Sequence, residues 1–302
     1  LTPKGWVSAG SVLTGDLLIG SNGRPTRVLG VYPQGRRPLY RVTFTDGASA
    51  LCDEEHVWAV RTPTHVHRGQ PWITRTTAQL RDDLYTDNGA CRWHVPVVRP
   101  VEFEQADLPL PPYSIGVLIG DGCLVSGGVR LSSADPEIVR EVSRELKLKA
   151  QHTGYGCDYR LTRPRGRRAD HPFGKLKNLG LCVRSFEKRI PRIYLQSSIS
   201  QRRRLLAGLL DTDGWVQNGG STTAFSTSSP GLASDVVELV RSLGGVVRRT
   251  IKRTMGLDAH VLTIRVPFCP FELSRKVEAW NPSDAHGSPI RMIESIEPEG
   301  FG

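Results

Sequence analysis

The chain has 302 residues, enough for two domains that each bury a core. Its 38% hydrophobic content with 31 Gly and 21 Pro suits a loop-rich globular protein; no run of 18 apolar residues can cross a membrane, and the opening LTPKGWVSAG lacks the regions of a signal peptide. The net charge of +10 is uneven, at +2 over residues 1–105, +11 over 106–265 and −3 over 266–302, so the middle segment carries an electrostatic footprint for a polyanion.

The six cysteines at 52, 91, 123, 157, 182 and 269 form no CxxC pair. That spacing argues against a zinc ribbon, and the absence of a secretion signal argues against a disulfide framework. A reduced, cytoplasmic setting with idle thiols follows.

The first hundred residues read as short strands. Asn22-Gly23 predicts a hairpin turn between LLIG and TRVLGVY. From Leu39 to Thr45, Tyr40, Val42 and Phe44 alternate with Arg41, Thr43 and Thr45, until Asp46-Gly47 ends the strand. Arg61–Gln70 is polar, and His65 and His67 within it read as solvated. The proline cluster LPLPPY at 108–113 predicts a domain boundary.

Residues 113–265 contain a duplication. YSIGVLIGDGCL (113–124) matches LLAGLLDTDGWV (205–216), and LSSADPEI (131–138) matches FSTSSPGL (225–232), at offsets of 92 for Asp121 to Asp213 and 94 for Pro136 to Pro230. An amphipathic helix follows each proline, carrying Ile138, Val142 and Leu146 or Leu232, Val236 and Val240, with Asp or Ser before the proline as N-cap. Two half-domains of about 90 residues related by a pseudo-two-fold are expected. From Val266 the composition turns neutral, and PIRMIESIEPEG (289–300) predicts a strand that resumes the N-terminal domain.

The chemistry concentrates in the paired helices. Gly116 and Ala207-Gly208 allow two backbones to approach closely, and each helix ends in an acid followed by glycine, with Gly122 and Gly214 expected as left-handed caps. A carboxylate at the negative end of a helix dipole is unfavourable by about 0.3–1 kcal/mol. Two such acids, Asp121 and Asp213, call for a compensating cation, and Mg²⁺ is typically held by one or two carboxylates plus phosphate oxygens. Metals held there activate water and stabilise the leaving oxygen in phosphodiester hydrolysis.

These nonapeptides, SIGVLIGDG (114–122) and LAGLLDTDG (206–214), resemble the signature helices of LAGLIDADG homing endonucleases; the second departs from that motif at two positions. The resemblance implies that Asp121 and Asp213 are the catalytic, metal-binding acids. Asp211, opposite Ile119 in the first copy, reads as packing or capping. Lys188 in KRIP resembles a block in which lysine lies near the active centre, and a single phosphate contact is an equal reading. The strands RLTRPRGRR and VVRRTIKR are expected to line the major groove, with Arg160, Arg163, Arg165, Arg167, Arg168, Arg248, Arg249, Lys252 and Arg253 as DNA-binding residues.

The flanking segments resemble the Hint fold of inteins. LTPKGWVSAGSVLTGDLLIG is similar to the first splicing block and CDEEHVWAV (52–60) to the second. This resemblance implies that His56 protonates the amide nitrogen leaving at the upstream junction. Trp58 resembles the tryptophan of inteins that use an internal cysteine; a core aromatic is the alternative. Asp53 stands where many inteins have threonine. Residue 1 is Leu, and EPEGFG falls within the penultimate block, so both splice junctions are expected outside the sequence.

The expected architecture is multidomain: an all-β Hint horseshoe (1–105 and an incomplete 266–302) interrupted by an α+β LAGLIDADG endonuclease (106–265). The expected function is autocatalytic protein splicing plus Mg²⁺-dependent, site-specific double-strand DNA cleavage. The partners are DNA at the insertion site and the host-protein flanks (exteins), with no membrane and a monomeric state. The alternatives are an inactive, DNA-binding endonuclease within a replicative DNA helicase or terminase, and a plain DNA-binding module.

Overall fold

A computed structural model describes residues 1–125, 127–164, 172–217, 220, 222–253, 255–281 and 290–302. The chain divides into unit 1, Leu1–Arg99 with Ser288–Gly302, and unit 2, Pro100–Gly287.

Unit 1 is built of short strands. β1 (Leu17–Ile19) and β2 (Pro25–Arg27) pair across a turn in which Gly23 takes φ 81°. β3 (Pro38–Phe44) and β4 (Ser49–Cys52) form the next hairpin, where Gly47 has φ 78° and the Asp46 carboxylate accepts from Ala48 N at 3.0 Å. β5 (Val57–Val60) pairs with β6 (Ile73–Thr76), and β7 (His94–Pro96) follows. Two short helices depart from the all-β expectation. α1 (Pro63–His67) arises because Thr62 caps His65 N and proline occupies the first turn. α2 (Thr77–Asp82) starts on a Thr76–Gln79 capping box. The last strand, β16 (Ile290–Phe301), lies between β3 and β7 in a sheet of order β4-β3-β16-β7. Val42, Phe44, Val60, Leu80, Trp93, Val95 and Ile293 form the core beneath it.

Unit 2 repeats one motif. The first copy runs α3 (Pro112–Gly120), β8 (Gly122–Cys123), β9 (Val129–Ser132), α4 (Pro136–Leu146), β10 (Lys149–His152) and β11 (Asp158–Thr162). After α5 (Pro172–Asn178) and α6 (Arg192–Leu195), the second runs α7 (Ile199–Asp213), β12 (Gly214–Val216), β13 (Thr223–Thr227), α8 (Pro230–Ser242), β14 (Val246–Lys252) and β15 (Ala259–Arg265). Both sheets are antiparallel with one topology, β8-β9-β11-β10 and β12-β13-β15-β14. The inner faces (Val129, Leu131 and Leu161; Phe225, Leu262 and Ile264) pack on the helices in one core.

The unit boundaries differ from the expected 105/106 and 265/266. The tether upstream of the proline cluster is docked on unit 2, with Val101 N donating to Ser242 O at 2.8 Å and Gln201 bridging both backbone groups of Ala106 at 3.1 and 2.7 Å. The fully buried Arg202 gathers the carbonyls of Val101, Ser197 and Ser242, with its guanidinium 5.0 Å from the Phe103 ring. Downstream, Val266, Phe271 and Leu273 belong to unit 2's core and lead into α9 (Ser274–Ala279). Glu272, among the first acids downstream of residue 266, pairs with Arg204 at 3.0 Å within unit 2.

Candidate active site

α3 and α7 run parallel because glycine removes the side chains between them. A Cβ on Gly116 would lie 2.9 Å from Leu209 N, and one on Gly208 the same distance from Val117 N. Gly120 faces Thr212, and a Cβ there would lie 3.1 Å from the Asp213 carboxylate. The parallel arrangement brings Asp121, the C-cap of α3, and Asp213, the last residue of α7, to adjacent helix ends. Gly122 and Gly214 are not the expected left-handed caps. Neither has positive φ, and Gly214 is extended at φ −104°. Glycine is required for space, since a Cβ at 122 or 214 would sit 2.8 Å from Leu118 Cα or Leu210 Cα.

A buried lysine closes each helix. Lys188 Nζ donates to the carbonyls of Ile119, Gly120 and Gly122 at 2.6, 2.9 and 3.1 Å. Lys276 Nζ donates to those of Leu210, Asp211 and Gly214 at 2.7, 2.7 and 2.6 Å. An ammonium has three donors, so neither lysine has one left for a phosphate. Lys188 is therefore a positioning and electrostatic residue in this structure, where the sequence suggested a catalytic one. Lys276 was missed; the duplication applied to Lys188 points to it, because it is the only lysine after Lys252.

Each lysine segment is anchored on a helix of the opposite half. Asp235 of α8 accepts from Arg189 Nε and Nη2 at 2.7 Å each and from Ile190 N at 2.9 Å, while Ser229 Oγ donates to Lys188 O at 2.8 Å. Arg275 forks onto Asp135, beside α4, at 2.8 Å twice. Asp135 is thereby drawn from the capping role expected of it, whereas Ser229 does cap Leu232 N at 3.0 Å.

Burial raises the Asp121 carboxyl above its ordinary range, with Lys188 and Lys276 opposing the shift. Asp213 is pushed up to about 6, by burial and then by Asp121. Burial lowers Lys188, and pushes Lys276 down to about 8. Two desolvated carboxylates thus sit at negative helix ends, and the two lysines only partly offset their burial. Their hard oxygens fit Mg²⁺, which keeps several waters and needs one or two carboxylates; no third His, Cys, Asp or Glu joins them among the described residues.

The outer sheet faces carry the basic residues. β-alternation exposes Arg160 on β11 and Arg248 and Lys252 on β14, and Arg163 and Arg253 follow those strands, also exposed. Arg130 on β9, Lys149 on β10 and Arg265 on β15 are exposed too, and the sequence did not single them out because their strands had not been set in register. Arg249 lies on the opposite face: its guanidinium meets His260 Nδ1 and Ser234 Oγ at 3.1 Å each, tying β14 to α8. That position corrects its expected place among DNA contacts, since period-two alternation turns it away from Arg248. Arg165, Arg167 and Arg168 lie outside the described residues.

With this geometry in place, residues 200–265 match the family model of a LAGLIDADG-like domain. The second copy of the repeated motif in unit 2 thus carries a LAGLIDADG-like domain. Over 297 residues the chain is 32% identical to the replicative DNA helicase DnaB of Mycobacterium intracellulare, an alignment covering 91% of this chain and 47% of that protein. It is 26% identical over 172 residues to the homothallic switching endonuclease of Saccharomyces cerevisiae, covering 50% of this chain and 28% of that one. The chain thus spans about half the length, or less, of these curated relatives. Among solved structures, I-DmoI in complex with DNA and Ca is similar at 17% identity and a TM-score of 0.37, covering 56% of this chain and 95% of that one. The LAGLIDADG-like segment holds Asp213, Arg248 and Lys252 but not Lys276.

In unit 1, His56 is exposed and meets the Trp58 ring edge-on at 5.0 Å between centroids. Trp58 Nε1 donates to the buried Thr77 hydroxyl at 3.0 Å, and Thr77 N donates to His56 O at 3.0 Å. The Cys52 thiol, raised by burial, touches the same hydroxyl at 3.3 Å. Asp53 accepts from Arg37 at 3.3 Å.

Proposed function

We propose that this chain is a protein-splicing element carrying a site-specific, metal-dependent double-strand DNA endonuclease, lodged in a replicative DNA helicase. The observation that carries the nuclease reading is the Asp121–Asp213 pair at the ends of two glycine-packed parallel helices, each closed by a lysine. A divalent cation held by these carboxylates, Mg²⁺ being the expected ion, supplies an activated water and charge neutralisation at the leaving oxygen. The chain's own residues do the rest. Arg130, Arg160, Arg248 and Lys252 present charge to phosphates from the two outer sheet faces. Lys188 and Lys276 hold the helix ends and favour the ionised form of both acids. Both halves lie in one polypeptide, which supports a monomer on pseudo-two-fold DNA.

Splicing draws its support from His56, exposed against a Trp58 that is itself pinned by Thr77. In this reading His56 protonates the amide nitrogen that leaves at the upstream junction, and the flanking host segments are the substrate. An alignment covering 91% of this chain but 47% of a helicase supports a helicase host.

The test is cleavage of a duplex library built around the helicase gene with the insert removed. The parent cuts both strands in Mg²⁺, while Asp121→Asn and Asp213→Asn bind but leave the duplex intact. Undiminished cutting by both variants would sink the mechanism. A parent that binds and cuts nothing would instead identify a DNA-binding splicing element.

A further inference from the structure

The duplication that pairs Asp121 with Asp213 also pairs Ile119 with Asp211, and there the halves cease to be equivalent. Both residues are buried, but Ile119 is part of the apolar core whereas Asp211 is a carboxylate 1% exposed. A single oxygen of Asp211 accepts from Tyr113 Oη at 3.0 Å, Glu272 N at 3.2 Å and Leu273 N at 2.9 Å. Those two amides form the turn entering α9, the helix that carries Lys276. The backbone carbonyl of Asp211 in turn receives Lys276 Nζ at 2.7 Å. One residue thus grips α9 at its entry and receives its lysine.

The first half has no such grip and does not need one. There the anchoring carboxylate, Asp235, is 5% exposed, and it takes a backbone amide as well as a guanidinium fork. The corresponding anchors in the second half face solvent: Arg275–Asp135, whose carboxylate is 24% exposed, and Ser274, whose N and Oγ donate to Glu137 of α4 at 3.3 and 2.8 Å. Exposed contacts hold little, so the desolvated hold on the entry to α9 comes from Asp211.

We propose that Asp211 is a positioning residue for Lys276 alone, and that through it the two strands of the duplex are cut under separate control. The strand-cutting part of this inference rests on the nuclease reading; the positioning part does not.

Two measurements on the full chain test it. The first is amine acetylation without DNA, read by mass spectrometry at each lysine. Asp211→Ile, which copies the first half, raises modification of Lys276 at least tenfold and leaves Lys188 protected. Asp211→Asn keeps the accepting oxygen and protects Lys276 as the parent does. Tyr113→Phe removes the third partner without touching the α9 turn, and it too leaves Lys276 protected. The second measurement is strand-resolved cleavage of the duplex library. Asp211→Ile accumulates a nicked product with the same strand always uncut, changing the ratio of the two strand rates at least tenfold; Asp211→Asn restores the parent ratio. Equal slowing of both strands, or a Lys276 as protected in Asp211→Ile as in the parent, overturns the proposal. If the parent cuts no duplex while Asp211→Ile unmasks Lys276, the nuclease reading falls and the positioning role stands.

Discussion

Gly116 and Gly208 face each other across the seam between α3 and α7, so close that a Cβ built on either would lie 3.0–3.1 Å from the other's Cα. The atoms in the way are backbone, which cannot swing aside. Gly116→Ala and Gly208→Ala are each expected to destabilise unit 2 by about 1–3 kcal/mol, the usual cost of overpacking. Thermal melts check this. An unchanged melting temperature in both variants would mean the helices are not packed as described.

Removing either lysine cap strips three hydrogen bonds from carbonyls at a helix end. Lys188→Met and Lys276→Met are each expected to cost about 1.5–3 kcal/mol, the range for hydrogen bonds to a charged group. Urea denaturation measures it. Arginine should not rescue either site, because a planar fork cannot reproduce three donors on one nitrogen.

The folded-state value of Asp213, about 6, lies above its ordinary 3.8. Between those values the folded protein keeps a proton that the unfolded chain has released. Stability therefore falls as pH rises through that window and stays at the lower level above it. Mg²⁺ competes with that proton. The ion should raise the melting temperature at pH 7.5 and hardly at all at pH 5, and Asp213→Asn should abolish the difference. A stabilisation equal at both pH values would contradict the assigned site.

The salt dependence of DNA binding separates neighbours on one strand. Replacing Arg248, Lys252, Arg160 or Arg130 by Ala should each reduce the slope of log K against log salt by about one. Arg249→Ala should leave the slope unchanged and lower the melting temperature, because its guanidinium serves His260 and Ser234. Equal slopes for Arg248→Ala and Arg249→Ala would refute the face assignment.

For splicing, the relevant molecule is the precursor with its host flanks. His56→Ala should slow upstream cleavage by roughly 10²–10⁴-fold, the contribution of a general acid. Normal cleavage by that variant would show that the His56–Trp58 pair is ordinary surface.

The duplication, both acids and the close-packed glycines were legible because each depends on local spacing. The lysine caps were half legible: Lys188 had a motif around it, whereas Lys276 sits in a neutral stretch and acquires its role only when α9 docks on the end of α7. Domain edges were misplaced for a similar reason. Proline clusters and charge sums describe the chain's solvent-facing character, and they do not register that Val101 and Arg202 bind a tether down or that Phe271 and Leu273 enter a core. Arg249 looked like its neighbours because composition ignores which face a strand residue occupies. The left-handed caps expected at Gly122 and Gly214 failed because an Asp-Gly pair signals crowding as readily as positive φ.

The position of β16 has a consequence for biosynthesis. β3 pairs at once with β4 but finds its second neighbour only at Ile293–Phe301, some 250 residues later along the chain, and β7 pairs with the same late strand. Every residue of unit 2 leaves the ribosome before that strand does. Unit 2 can therefore be complete while the four-stranded sheet of unit 1 still has a gap between β3 and β7, and long-range pairing of this kind is slow. Translation thus sets an order: unit 2 can mature first, and the sheet that holds β3 and β7 together closes only once the intervening unit has been made.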